Sequence, residues 1–419
     1  MRARRLLPAG LLDSGLASLA SFVVGVYAAH YLPASELGAY AIFFTAFLLA
    51  AVVPTQLVLI PAEIAVLEAG RVERVGLFRQ SWQLAGPPAV LAACLASAAA
   101  CLGADASADA LLALAITTAA CSVVSPLQDH VRRTLHLATL SWRAALVSLV
   151  QVLGVVASLS LFHVAGVPEI WRPFGALAVA NALSLAVGML WLARREVLSS
   201  SLPRFGARAL MDSGRWLLIL ELTAAAAPFV SSVMITRLAS AEALGHAEAA
   251  RIVAQPMFVL IAGLSAVLGP RSMEAAAARY YRQARGIARS FNVILVTTGL
   301  IYSALTLVPW WGNPFAALVP RAYDEPGLVL TCVLGYMLVG VVFPHRAELF
   351  GGRQERLLPR IAILAGVAQV VATISAIWLK AYTRPLAGMI FALVLWLGYR
   401  QRREAMYRVE HAHGEAFGR

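Results

Sequence analysis

The side chains best suited to chemistry in this sequence are a few ionisable residues inside long apolar runs. Arg251 stands in the run at about residues 244–268, with Glu248 three residues before it. A charge at membrane depth costs free energy unless it faces a cavity or a partner. A guanidinium there is suited to a phosphate group, to which it donates forked, charge-assisted hydrogen bonds. The alternatives are a Glu248–Arg251 pair within one helix, or an Arg251 side chain that reaches the outer membrane interface.

Three carboxylic acids in or beside the apolar runs could exchange a proton or an ion within the membrane. Glu221 lies about seven residues into the run at 214–237, where it is either a cavity carboxylate or a protonated partner of a neighbouring helix. Asp13 stands at the start of the first run, and Asp212 stands at the start of the seventh. For this pair the alternatives are a coupling site and an N-cap in the first helical turn.

The sequence shows no pattern typical of a metal site, a cofactor site or an enzyme. Its four cysteines lie inside apolar runs without paired spacing, and its histidines lack metal-ligand spacing, so we expect no metal and no cofactor. No Asp-x-Asp, His-Glu-x-x-His or glycine-rich phosphate loop is present, and the predicted outer loops are short. Catalysis is therefore not expected.

The composition places these residues in a membrane protein. The chain has 419 residues, of which 60% are hydrophobic and only 13% charged, with a mean hydropathy of +0.76. In a soluble domain charged residues alone make up about a quarter of the chain, so soluble classes are excluded. Twelve hydrophobic runs, from residues 11–32 to residues 386–400, are each about long enough to cross the apolar core as a helix.

The distribution of the basic residues predicts the orientation. The formal net charge is +12, and 33 of the 34 basic residues are arginines. Of the 34, 28 lie at the termini and in every second loop, five lie in the alternate loops, and Arg251 lies inside a helix. By the positive-inside rule both termini are cytoplasmic, so the number of spans is even. We expect a multi-pass protein of the cytoplasmic membrane that does not bind nucleic acid.

Short matches between the halves predict an internal repeat. Asp13-Ser14-Gly15 recurs as Asp212-Ser213-Gly214, and Ser35-Glu36-Leu37-Gly38 resembles Ser240-Ala241-Glu242-Ala243-Leu244-Gly245. The predicted fold is all-α, with two six-helix lobes related by a pseudo-twofold axis along the membrane normal. The boundaries are a lobe at residues 1–193, a cytoplasmic linker at 194–213, a lobe at 214–400 and a cytoplasmic tail at 401–419.

These segments resemble a known family. The first span with its Asp-Ser-Gly, the turn from Leu32 to Tyr40 and the segment from Leu244 to Arg271 are similar to polysaccharide flippases of the multidrug/oligosaccharidyl-lipid/polysaccharide exporter superfamily. The resemblance implies two lobes around a central cavity that opens alternately to each side of the membrane. It implies a flippase for polyprenyl-diphosphate-linked oligosaccharides, in contact with membrane lipids and with polysaccharide polymerase or export components.

The individual residues have candidate roles in such a transporter. Arg251 would contact the diphosphate, and Glu221 or Asp13 would take part in coupling. Polar side chains could hydrogen-bond sugar hydroxyls or, equally, neighbouring helices; they are Gln56, Gln128, Gln151, Asn181 and Gln255. Arg143, Arg215 and Arg346 could form a basic cytoplasmic vestibule, although topology alone also explains them. The alternatives to the flippase are a cation-coupled multidrug antiporter of the same superfamily and a scaffold subunit of a polysaccharide assembly machine.

Overall fold

A computed structural model describes residues 2–66, 73–138, 140–193, 206–308, 310, 313, 318–354 and 356–417. Nearly all of these residues are helical. The α-helices are α1 (Arg2–Tyr31), α2 (Ala34–Pro54), α3 (Ile60–Val66), α4 (Glu73–Gly103), α5 (Ala108–Leu137), α6 (Ser141–Val164), α7 (Arg172–Ala193), α8 (Ala207–Leu238), α9 (Ala241–Ala277), α10 (Tyr281–Leu307), α11 (Pro326–Gly351), α12 (Leu358–Ser375) and α13 (Thr383–Phe417).

Twelve membrane spans are present among the described residues, as the hydrophobic runs predict. Because the apolar core offers the backbone no water, each span satisfies its own N–H and C=O groups by forming a helix. The spans are 18 to 37 residues long. The prediction of an all-α, twelve-span membrane protein is confirmed.

Several predicted features fall on residues outside the described ranges. These are residues 194–205 of the predicted linker, with Arg194, Arg195 and Arg204, together with Arg71 and Arg419. The last residues of the predicted linker belong to α8, which begins at Ala207, and α13 continues to Phe417 through the predicted tail.

The chain forms two compact units, residues 1–249 and 250–419. In the first unit α6 packs on α1 and α7, α5 packs on α4 and α7, and α2 packs on α4, α5 and α8. Small residues allow close packing there: a Cβ at Gly188 of α7 would overlap the side chain of Val131 in α5. In the second unit α11 packs on α10 and α13, and α13 also packs on α12.

The second span is interrupted directly after a proline. Directly after Pro54, residues Thr55–Leu59 form one turn of π-helix before α3 begins at Ile60. Proline removes a backbone donor from the helix, and π-turns inside α-helices are frequent at functional sites. α8 packs closely on this turn, because a Cβ at Gly214 would lie 2.5 Å from the carbonyl oxygen of Gln56.

Several helices continue beyond their apolar runs into the segments that carry the arginines. α1 begins at Arg2 rather than near residue 11, and α5 continues to Leu137 rather than ending near residue 128. Apolar runs mark only the part of a helix in contact with hydrocarbon, while the helix itself continues where water or protein satisfies its side chains. This extension places several charged residues inside helices instead of loops.

Candidate functional site

Asp13 is the centre of a buried polar cluster in the first unit. It lies eleven residues after the start of α1, so the N-cap interpretation is wrong. Arg132 of α5 donates from Nε to Oδ1 at 3.0 Å and from Nη2 to Oδ2 at 2.8 Å. His136 Nε2 lies 2.9 Å from Oδ2, and Ser148 of α6 donates to Oδ1 at 2.5 Å. Both carboxylate oxygens are therefore fully engaged, in a side chain that is only 4% exposed.

The repeat-related aspartate has a different environment. Asp212 lies in the second turn of α8, is 64% exposed, and has Arg215 at 4.0 Å on the same helix. It too is inside a helix rather than at an N-cap. Identical Asp-Ser-Gly tripeptides therefore form a buried ion-pair cluster in one place and a solvent-exposed pair in the other.

A second polar cluster joins α3, α4 and α5. The ring of His130 is fully buried between Glu63 and Ser81, with 2.9 Å from Nδ1 to Glu63 Oε1 and 2.9 Å from Nε2 to Ser81 Oγ. Arg133 lies 3.6 Å from the other Glu63 oxygen. A histidine held between a carboxylate and a hydroxyl can pass a proton from one to the other. These residues are not among the site residues predicted from the sequence, because the run predicted for α5 ends before His130.

The amides predicted to bind substrate or neighbouring helices form a chain of hydrogen bonds inside the first unit. Gln128 donates to Gln151 at 3.4 Å, Gln151 donates to Asn181 at 2.6 Å, and Asn181 donates to Ser125 at 2.5 Å. Asn181 is 2% exposed. The chain links α5, α6 and α7, as polar side chains do between membrane helices. Gln56 is half-buried in the π-turn.

The ionisable residues predicted at membrane depth lie inside helices, as expected. Glu221 is half-buried in α8, and Glu248 is completely buried in α9. Arg251 is half-buried ten residues after the start of α9, and Gln255, one turn later, is buried. At 1.5 Å per residue, Arg251 is about 15 Å along the helix from its first residue.

The three arginines predicted to form a basic vestibule each stack on an aromatic ring. The Cζ–centroid distances are 6.0 Å for Arg143 on Trp191, 5.4 Å for Arg215 on Trp216 and 5.4 Å for Arg346 on Phe350. Arg143 and Arg215 belong to the first unit and Arg346 to the second. Arg346 also lines a largely apolar cavity of about 260 Å³ between α9, α10 and α11.

The second unit contains a buried carboxylate that the sequence analysis missed. Glu348 of α11 is completely buried, and the hydroxyl of Tyr407 in α13 donates to its Oε2. Arg403 Nη1 lies 3.7 Å from the other oxygen and donates to His345 Nδ1 at 2.8 Å. The hydrophobic run predicted for α11 stops at residue 347, which left Glu348 in a loop. A carboxylate directly beside an apolar run was the available signal.

The described part of the chain contains no cluster of side chains that could bind a metal ion. No group of three or more histidine, cysteine, aspartate or glutamate side chains is close enough to hold an ion there. What the arrangement offers instead is a set of buried ion pairs and hydrogen bonds, an arginine inside the long apolar helix α9, and arginines that stack on aromatic rings in both units.

The fold is shared with MATE transporters, at low sequence identity. One such structure is the inward-facing conformation of a multidrug resistance MATE family transporter of the MOP superfamily. It is 13% identical, covers 94% of this chain and 96% of its own, and has a TM-score of 0.65. A MATE transporter from Vibrio cholerae is 14% identical over 97% of this chain and 98% of its own, with a TM-score of 0.59.

A third match is a MOP superfamily transporter from Pyrococcus furiosus, for which a binding pocket of reverse polarity suggests a different function. It is 12% identical, covers 97% of this chain and 96% of its own, and has a TM-score of 0.59. No family model and no curated protein matches the sequence. At these identities the likeness establishes the fold, and the substrate must be argued from the residues.

Proposed function

We propose that this chain is a transporter that moves a polyprenyl-diphosphate-linked oligosaccharide across the cytoplasmic membrane by alternating access. The observation that carries the proposal is an arginine inside a membrane-spanning helix. Arg251 is a half-buried guanidinium inside α9. A guanidinium inside a span costs free energy, and a diphosphate is an anion that its forked donors bind well.

The hydrogen bonds of Asp13 disfavour it as a coupling group. A cation-coupled antiporter needs a carboxylate that can bind and release H⁺ or Na⁺ during the cycle. Arg132, His136 and Ser148 already hold both oxygens of Asp13. An incoming cation would have to displace a bidentate arginine, and breaking such a buried pair costs about 3–5 kcal/mol. Glu221 is then the proposed coupling carboxylate.

The remaining assignments complete the proposal. Arg251 binds the diphosphate, and Glu248, three residues earlier on α9, belongs to the same substrate site. Gln56, Gln255 and Asn181 are the amides assigned to the sugar, and the lipid tail stays in the membrane. Arg143, Arg215 and Arg346 attract the anionic headgroup at the cytoplasmic end. Polymerase or export components of the polysaccharide pathway would receive the product.

The multidrug antiporter is the second candidate, because a multidrug resistance transporter has the same fold. It predicts efflux of cationic dyes that depends on an ion gradient. A scaffold subunit predicts instead that both Arg251 and Glu221 can be replaced without loss of function.

Proteoliposomes that contain a labelled polyprenyl-diphosphate sugar separate these candidates. The readout is the fraction of label that a membrane-impermeant reagent reaches with time. We expect wild-type protein to equilibrate the label between leaflets, Arg251→Ala to abolish this activity and Arg251→Lys to keep part of it. Arg271→Ala is the matched control, because Arg271 is an exposed arginine on the same helix.

Two results would contradict the proposal. One is that, with wild-type protein, the label stays in its original leaflet while ethidium is pumped across the membrane under an imposed ion gradient. The other, in cells depleted of the protein, is lipid-linked sugar that still reaches the outer leaflet at the normal level. Full activity of Arg251→Ala at normal expression would assign Arg251 a structural role.

A further inference from the structure

The second unit contains a basic cavity that the proposed transport cycle does not use. It has a volume of about 540 Å³ and lies between α10, α11 and α13. Its charged lining comprises Arg285, Arg289 and Arg403, and His345 and Asn292 are its other nitrogen-bearing side chains. No carboxylate lines it among the residues that the structure describes there. Three guanidinium groups around one cavity create a positive potential that attracts anions.

Two of the three arginines are held in place by the ring of Tyr407. Arg285 and Arg403 both lie over the ring of Tyr407, with Cζ 4.7 Å and 5.9 Å from its centroid. Arg403 also faces the buried Glu348 and donates to His345 Nδ1. Since a guanidinium only donates, Nδ1 is the acceptor and His345 carries its proton on Nε2. Two guanidiniums fixed by one aromatic ring lose little freedom when an anion binds.

Two polar atoms at the cavity still lack hydrogen-bond partners. Arg403 Nε and Asn292 Oδ1 are buried, and neither has a partner within the described part of the chain. A buried polar atom without a partner costs about 1–3 kcal/mol, so such atoms indicate a missing water or ligand. The amide of Asn292 can rotate to present its NH₂ group instead of its oxygen. Both residues can then donate to an anion.

The cavity continues into an apolar stripe along α10. Arg285, Arg289, Val293 and Val296 recur at intervals of three to four residues, so they share one face of the helix. From Arg285 to Val296 the stripe is about 17 Å long. Val293 is 57% exposed and Val296 37%, which leaves their side chains open to the membrane. One ligand would therefore meet cations at one end and a hydrocarbon surface at the other.

We infer that this cavity binds an anionic glycerophospholipid of the arginine-rich leaflet. Arg285, Arg289 and Arg403 would hold its phosphodiester, Asn292 would donate to the headgroup, and an acyl chain would lie on Val293 and Val296. Basic pockets between membrane helices bind such headgroups. The apolar stripe favours a lipid over a free phosphate, because inorganic phosphate would leave the valines without a partner.

Binding of lipids to the purified full-length protein tests this inference, with native mass spectrometry as the readout. The probes are phosphatidylglycerol, phosphatidylcholine with the same acyl chains, and inorganic phosphate as competitor. We expect phosphatidylglycerol to bind about tenfold more tightly than phosphatidylcholine. The double substitution R285A/R289A should remove that preference, and millimolar phosphate should leave it unchanged.

Arg282→Ala is the matched control, since Arg282 is an exposed arginine in the first turn of α10 that does not line the cavity. It should bind both lipids like the wild type. Arg289→Ala alone should weaken the preference. Because Arg289 is exposed, this variant should still fold, so the inference can be tested even if the double variant does not fold. Equal binding of the two lipids, an unchanged preference in R285A/R289A, or displacement of the lipid by phosphate would each overturn the inference.

Discussion

Gly38 and Gly245 each lie against the first residue of the other's helix. A Cβ on Gly38 of α2 would overlap the carbonyl of Ala241, where α9 begins, and a Cβ on Gly245 of α9 would overlap the carbonyl of Ala34, where α2 begins. Each glycine is four residues into its helix. The contact is therefore reciprocal, and it joins the two segments that the sequence repeat relates.

Gly38→Ala is expected to destabilise the protein by about 1–3 kcal/mol, because the methyl group must push away backbone atoms that cannot rotate aside. The thermal unfolding midpoint in detergent measures this. Gly15→Ala in α1 is the control, since a Cβ there meets no atom within 4 Å. Equal midpoints for the two variants would mean that the two helix ends are not closely packed.

Asp13→Asn is expected to lower stability by about 3 kcal/mol, because the amide cannot accept from Arg132, His136 and Ser148 together. The control is Asp212→Asn, the same change at the repeat-related, exposed position. Its unfolding midpoint should match that of the wild type. If Asp13 instead serves as the ion-coupling group, the Asn variant would keep its midpoint and lose only the ion dependence of transport.

Tyr407→Phe is expected to cost about 1–3 kcal/mol, because it removes the hydroxyl that donates to the fully buried Glu348. Tyr280→Phe, at a 65% exposed tyrosine, provides the control. A double-mutant cycle with Glu348→Gln should give a coupling energy clearly different from zero. Additive effects would show that the two side chains do not interact.

Asn181→Leu separates a packing role from a substrate role. It removes the acceptor of Gln151 and the donor to Ser125 within the buried chain, so we expect a loss of about 1–3 kcal/mol in stability. Leu183→Ala is the control, because it changes the size but not the polarity of a side chain that is 51% exposed. An Asn181→Leu protein with normal stability and weakened sugar transport would favour substrate binding.

The sequence by itself determined the class of the protein and its twelve spans. These features follow from local composition. A run of about 20 apolar residues must form a spanning helix, because its backbone can find hydrogen bonds nowhere else in the membrane. Pro54 is likewise a local signal, and a π-turn directly follows it in the structure.

Only the tertiary structure decided which ionisable groups are engaged. Asp13 and Asp212 share the same tripeptide, yet the partners of Asp13 are 119 to 135 residues away in the chain. Glu348 similarly depends on Tyr407, 59 residues later on another helix. The free energy of a charge at membrane depth depends on the groups that surround it in space. Those groups come from helices whose pairing no local pattern specifies.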